Sequence, residues 1–196
     1  MNENPAVMAE NYGDSWLGLA LCERDRALAE RALVAMPQGY NEDALHIPRP
    51  LLEGWVARVF EGDDTGARKA FTAARAEVER TVRQQPDYGP PLCVLGLIDA
   101  GLGRKEEAIR EGRRASELLP VAKDAVTGAF IIEYLCVIYA WTGEKDLAIK
   151  QIAATLQVPS YLTYGELRLH PFWDSLLGDP RFEKLVEESK KPVAMK

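Results

Sequence analysis

Leu95-Gly96-Leu97-Ile98-Asp99-Ala100-Gly101-Leu102-Gly103-Arg104-Lys105-Glu106-Glu107-Ala108-Ile109 returns forty residues later as Leu135-Cys136-Val137-Ile138-Tyr139-Ala140-Trp141-Thr142-Gly143-Glu144-Lys145-Asp146-Leu147-Ala148-Ile149. Gly103 and Gly143 keep the same offset, as do Ala108 and Ala148. A fainter copy lies upstream, where Ala67 and Phe71 follow Gly62 and Gly66. Self-similarity at a fixed period of roughly 20–50 residues marks a stacked repeat architecture. Such an architecture works by presenting surface to a partner, so the pattern fixes a class of function before any site is sought.

Working outward from the quoted stretch, the unit 89–120 opens with Pro90 and Pro91, which suit a first helical turn because its amides need no partner. Leu92, Leu95, Ile98 and Leu102 recur at three- and four-residue steps and define one apolar stripe. Gly101 and Gly103 then end the helix, and a second helix follows with Ala108, Ile109, Ala115 and Leu118 inward until Pro120. The unit 128–158 repeats this with Ile131, Leu135, Ile138 and Tyr139, a turn at Thr142-Gly143-Glu144, and a helix through Ala148, Ile149 and Ile152. Hairpins over 50–85 and 12–37 precede them, the latter with Asp25 as a cap. The register of that first copy stays open between Ala27 and Ala29. Between these two hairpins, Gln38 to Pro50 carries Gly39, Asn41, Asp43 and Pro48 and reads as a connecting loop. Leu167, Leu169, Phe172, Trp173, Leu176 and Leu177 gather ahead of a short helix started by Asp179-Pro180, so 164–189 reads as a cap over the last open face, with 190–196 a charged tail. The expected fold is an all-α superhelix of about four helical hairpins with a C-terminal capping helix, one domain over 1–189.

These residues resemble the tetratricopeptide repeat. Leu92, Leu95, Gly96, Ala108, Ala115 and Pro120 stand at that family's spacing, followed by Ile132, Leu135, Tyr139, Ala148 and Ile152, with Ala67, Phe71 and Ala74 matching the second half of an earlier copy. Small residues at such positions let paired helices approach closely while large ones fill the hole opposite. The period of 40 departs from the family's usual 34, and Asp99, Gly112 and Thr155 stand where an aromatic, a large apolar residue and an alanine belong. More narrowly, Val121-Ala122-Lys123-Asp124-Ala125 with Glu133-Tyr134-Leu135, and the ending Leu167-Arg168-Leu169-His170-Pro171-Phe172-Trp173-Asp174, are similar to a C-terminal module of bacterial signalling proteins. That module sits behind serine/threonine kinase, adenylate cyclase or winged-helix regulator domains.

By family position, the resemblance implies a concave groove lined by Cys93, Leu97, Ala100, Phe130, Glu133, Val137 and Trp141. The set is mostly apolar with one carboxylate, and it lacks the Lys and Asn residues with which some family members clamp a terminal carboxylate. The expected ligand is therefore an apolar or amphipathic segment of a protein or peptide partner. Two other occupants stay open: the chain's own terminal helix, and a second copy in a homo-oligomer, because an apolar groove left bare invites association.

Chemistry of other kinds finds little footing. The net charge of −6 argues against nucleic acid, since phosphate contacts need a basic field. The basic cluster Arg104, Lys105, Arg110, Arg113, Arg114 is interleaved with acids, with Glu106–Arg110 and Arg113–Glu117 expected as i,i+4 pairs on a solvated helix face. Met1-Asn2-Glu3-Asn4-Pro5 is no secretory leader, and no apolar run approaches the ~20 residues that span a bilayer. Cys22, Cys93 and Cys136 are odd in number and sit in apolar stretches, as reduced buried thiols of a cytoplasmic protein do. His46 and His170 have no partners at metal spacing, so neither metal nor cofactor is expected. Trp16, Trp55 and Trp173 read as core, and Trp141 as the tryptophan left open to solvent. The remaining catalytic alternative is a pocket formed by His170, Asp174 and Tyr164, with His170 packed among aromatics as the competing reading.

Overall fold

The computed structural model describes residues 5–60 and 64–190. Within them α1 (Pro5–Glu23) and α2 (Arg26–Ala35) form a first hairpin, α3 (Arg49–Phe60) and α4 (Asp64–Gln84) a second, α5 (Gly89–Gly101) and α6 (Lys105–Leu118) a third, α7 (Thr127–Trp141) and α8 (Lys145–Thr155) a fourth. A short α9 (Tyr164–Leu169), a 3₁₀ helix (Pro171–Leu176) and α10 (Pro180–Glu188) complete the chain. Helices account for 73% of the structure. Each hairpin's two helices pack on one another, and α2 then packs on α3, α4 on α5 and α6 on α7. The turns use the glycines that carry the repeat: Gly103 and Gly143 take φ +75° and +78°, which only glycine adopts freely. Asp25 caps α2, accepting the Leu28 amide at 3.0 Å, and Asp179 caps α10 ahead of Pro180.

The three departures from the repeat pattern have local explanations. Asp99 is fully buried, and its Oδ1 receives Arg75 Nε of α4 at 2.7 Å and Arg104 Nε at 3.3 Å. An ion pair between hairpins thus occupies an aromatic's place. Gly112 leaves room for α7, because a Cβ there would stand 2.7 Å from Ile138 Cδ1 and 3.0 Å from Leu135 Cδ1. The volume missing from α6 is supplied from across the interface. Thr155 is buried with its hydroxyl 3.8 Å from Cys136 Sγ.

One expectation needs correction. The segment read as a loop between α2 and α3 contains an antiparallel hairpin, β1 (Gly39–Glu42) and β2 (Leu45–Pro48), with Tyr40 opposite Ile47 and Asn41 opposite His46. Asp43, at φ +53°, makes the tight turn, and Leu45 and Ile47 alternate inward against α3, α4 and α5 while His46 points out. The fold is therefore helical with one two-stranded ribbon laid against the helices. Two smaller expectations also change. Arg110 pairs with Glu111, and Arg113 donates to the Tyr139 hydroxyl at 2.9 Å, in place of the expected i,i+4 partners. Helix α1 begins at Pro5, ahead of the expected hairpin start. The opening Met1-Asn2-Glu3-Asn4, residues 61–63 with Gly62 of the faint upstream copy, and the tail after Lys190 lie outside the described residues. Among the described residues no helix is long and apolar enough to cross a membrane.

Candidate functional site: an acidic, aromatic cavity between the chain's two ends

The residues expected to line the groove divide into two sets. Cys93, Leu97, Ala100 and Val137 are buried, as is nearly every side chain of α5 and most of α7. The ribbon lies on α5, and the 3₁₀ helix lies on α7. Trp141 is half-buried beneath that cover: its Nε1 donates to the Phe172 carbonyl at 3.2 Å, its ring meets Phe172 edge-on at 5.3 Å, and the Arg58 guanidinium stands 4.5 Å above it. Ser175 Oγ donates to the Ala140 carbonyl, fixing the same contact. The other two, Phe130 and Glu133, stay half-buried and face a cavity of about 460 Å³.

Five parts of the chain build that cavity, α3 among them through Trp55. Helix α1 contributes Asp14, Ser15 and Leu17; strand β1 contributes Tyr40 and Glu42; α7 contributes Phe130, Glu133 and Tyr134; the C-terminal segment contributes Tyr161, Glu166, His170 and Phe172. Local sequence sets each wall. Asp124 accepts the Val126 and Thr127 amides at the start of α7, and the Thr127 hydroxyl donates to Asp43, which pins the ribbon's turn to α7. Thr163 caps α9 by accepting the Glu166 amide at 3.2 Å, which places Glu166 in that helix's first turn. Arg24, just after α1, pairs with Asp174 of the 3₁₀ helix at 2.7 Å and draws the two ends of the chain together.

Three glutamates share this space. The Tyr134 hydroxyl donates to Glu42 Oε2 at 2.5 Å. Glu133 Oε2 is sealed from solvent and has no hydrogen-bond partner. Glu166 stands 3.8 Å from His170 Nδ1. Among the described residues the lining includes no lysine or arginine. Burial, reinforced by the neighbouring carboxylates, pushes the Glu166 carboxyl up to about 7 and raises Glu42 and, much further, Glu133. Burial also lifts the Tyr40 and Tyr134 phenols well above their ordinary value. His170 is 8% exposed and accepts the Phe172 amide at Nδ1. Burial and the Arg24 charge lower its pKa to about 3, so the ring is neutral and supplies no counter-charge. Aromatic faces complete the walls, with Phe130 stacked on Tyr161 at 4.0 Å and 7°.

The grouping of His170, Asp174 and Tyr164 is placed differently from the sequence expectation. Asp174 is engaged by Arg24, Tyr164 lies exposed beneath Lys190 at 4.8 Å, and His170 packs edge-on against Phe172. Of the residues expected to line a groove, Phe130 and Glu133 line this cavity; Tyr40, Glu42, Tyr134 and Glu166, outside that expectation, line it as well. These lie up to 126 residues apart and meet only once β1 and α9 close on α7. Among the described residues no three His, Cys, Asp or Glu side chains converge on one metal-sized point. No protein-family model, curated protein or solved structure matches this chain.

Proposed function

We propose that the chain is a non-catalytic binding module, a tetratricopeptide-like stack of hairpins that recognises a protein or peptide partner at the cavity between α1, β1, α7 and α9. One observation carries this reading: Phe130 and Glu133 face open volume, while the four other buried groove positions are consumed by cohesion. A hollow of this size, walled by aromatic rings and a few polar groups, has the composition of a ligand site. Regulatory use within a larger signalling protein belongs to the same proposal, through the resemblance of Leu167 to Asp174 to the C-terminal module of such proteins.

A peptide array of varied charge and hydropathy, probed with the purified chain and with Phe130→Ala, tests the proposal. Binding to a subset of peptides, lost in Phe130→Ala at unchanged far-ultraviolet circular dichroism, is the expected result. Absence of any binding peptide, or binding indifferent to the substitution, removes the reading.

A further inference from the structure

Resting on that binding site, we propose that the cavity takes an organic cation, an ammonium group such as a lysine side chain of a basic peptide presents, held between Glu133, Glu42 and Glu166 and the aromatic walls. Three features lead there. First, the glutamates face one hollow with no lysine or arginine among its lining residues, so the charges they can carry have no internal match. Second, Glu133 lines that hollow, and its Oε2 is buried and unpartnered. Native folds rarely leave a buried acceptor unmet, because its desolvation is not repaid unless a donor arrives. Third, the lining is rich in aromatic rings, Phe130 and Tyr161 stacked on one another with Tyr40, Tyr134 and Trp55 beside them, and aromatic side chains attract cations.

The spread of the acids sets the size of the ligand. No three of them converge on a single metal-sized point, so a bare ion would meet one or two while a cation on an alkyl chain can meet several. A volume of about 460 Å³ accommodates a linear polyamine or one to two long basic side chains, and the exposed Asp14 and Ser15 form a negative-to-polar mouth facing solvent. A free polyamine and a lysine side chain share this chemistry, and the experiment separates them.

Titration calorimetry is run with spermidine, with a lysine-rich peptide and with its lysine-acetylated form, against the wild type, Glu133→Gln and Asp14→Asn. The expected result is binding of the lysine-rich peptide, loss of binding on acetylation, at least about tenfold weakening in Glu133→Gln, and a smaller weakening in Asp14→Asn at the solvent-facing mouth. Glu133→Gln should also melt higher than the wild type, because the amide removes an unmatched buried acid. A purely structural glutamate would not show affinity and stability moving in opposite directions. Binding of spermidine but not of peptide upholds the cation chemistry and removes the peptide partner of the preceding section. Binding of uncharged or acidic peptides at a site sensitive to Phe130→Ala, with no response to either basic probe, upholds the module and overturns the cation. Equal affinity in the wild type and Glu133→Gln also overturns it.

Discussion

Replacing Asp99 by alanine tests whether an ion pair, in place of an aromatic side chain, holds the second hairpin to the third. Asp99 is fully buried; Arg75, its partner across the interface, has a side chain only 20% exposed. The Asp99 hydrogen bond is also the largest influence holding the Arg75 guanidinium above its ordinary pKa. Removing one member of such a pair costs about 3–5 kcal/mol, because the survivor is left desolvated without a match. Arg75 keeps Glu79 at 3.2 Å, which places the expected loss at the lower end, about 3 kcal/mol. For a chain of this length that lowers the melting temperature by roughly 6–12 °C. Asp99 also acts on Glu111, whose carboxyl is pushed up to about 7 by burial first and by the Asp99 charge second. The substitution should therefore bring Glu111 back towards the ordinary carboxylate range. The assay is urea unfolding followed by circular dichroism for Asp99→Ala, Arg75→Ala and the double variant, with a carboxyl NMR titration of Glu111. A coupling energy of about 1 kcal/mol or more and an unchanged denaturant slope are expected. Strictly additive losses, or a single-variant loss below about 1 kcal/mol, would refute the reasoning. A matched apolar pair, Asp99→Leu with Arg75→Met, should recover most of the stability.

Four further outcomes can be measured on the same protein. Gly96→Ala should destabilise by about 1–3 kcal/mol in chemical denaturation despite alanine's better helix propensity, because its Cβ would stand 3.0 Å from the Ala108 carbonyl and the Gly112 amide across α5 and α6. Below about pH 4.5 Glu166 is protonated whether folded or unfolded; as pH rises towards its folded pKa of about 7 the unfolded chain ionises first, so stability falls through that window by up to about 3 kcal/mol. Glu166→Gln should flatten the denaturation profile between pH 5 and 7. Cys93 and Cys136 are buried with thiols raised far above their usual pKa, and Cys22 is pushed up to about 11, so a thiol reagent at pH 8 should label none of them in the native protein and all of them in urea. Trp173→Ala, which empties one of the largest buried side chains, should cost about 3–5 kcal/mol and raise hydrogen exchange in the segment that covers Trp141.

How much of this could be read from the chain depends on where the information sits. The helices of the third and fourth hairpins were legible because stripe and breaker agree: Leu92, Leu95, Ile98 and Leu102 lead to a glycine turn and then Ala108 and Ala115, and α5 and α6 end within two residues of the expected bounds. The ribbon was not, because its alternation spans only Leu45, His46 and Ile47 between residues that equally favour turns. The burial of Cys93, Leu97 and Val137 was signalled in a way that family position overrode. An amphipathic helix has one apolar stripe, whereas Leu92 to Ala100 is apolar on every side except at Asp99, and a helix apolar all round is covered all round. The cavity was half legible. Phe130 and Glu133 follow from repeat position, but nothing local in Tyr40, Glu42 or Glu166 distinguishes them from surface residues.

The arrangement of cover and cavity favours recognition over mere closure. An apolar concave face left bare invites association, and here the ribbon and the 3₁₀ helix remove that liability over α5 and over the end of α7 that carries Trp141. Cohesion alone would have filled the remaining space with apolar side chains, as it did with the fully buried Phe71 and Phe182. Instead the walls carry Glu42, Glu133 and Glu166, each with a carboxyl raised by its surroundings, so each makes the folded state harder to hold at neutral pH than an apolar residue would. Such groups oppose the fold that positions them, and a cation entering the cavity would turn the same three acids from a burden on folding into the source of affinity.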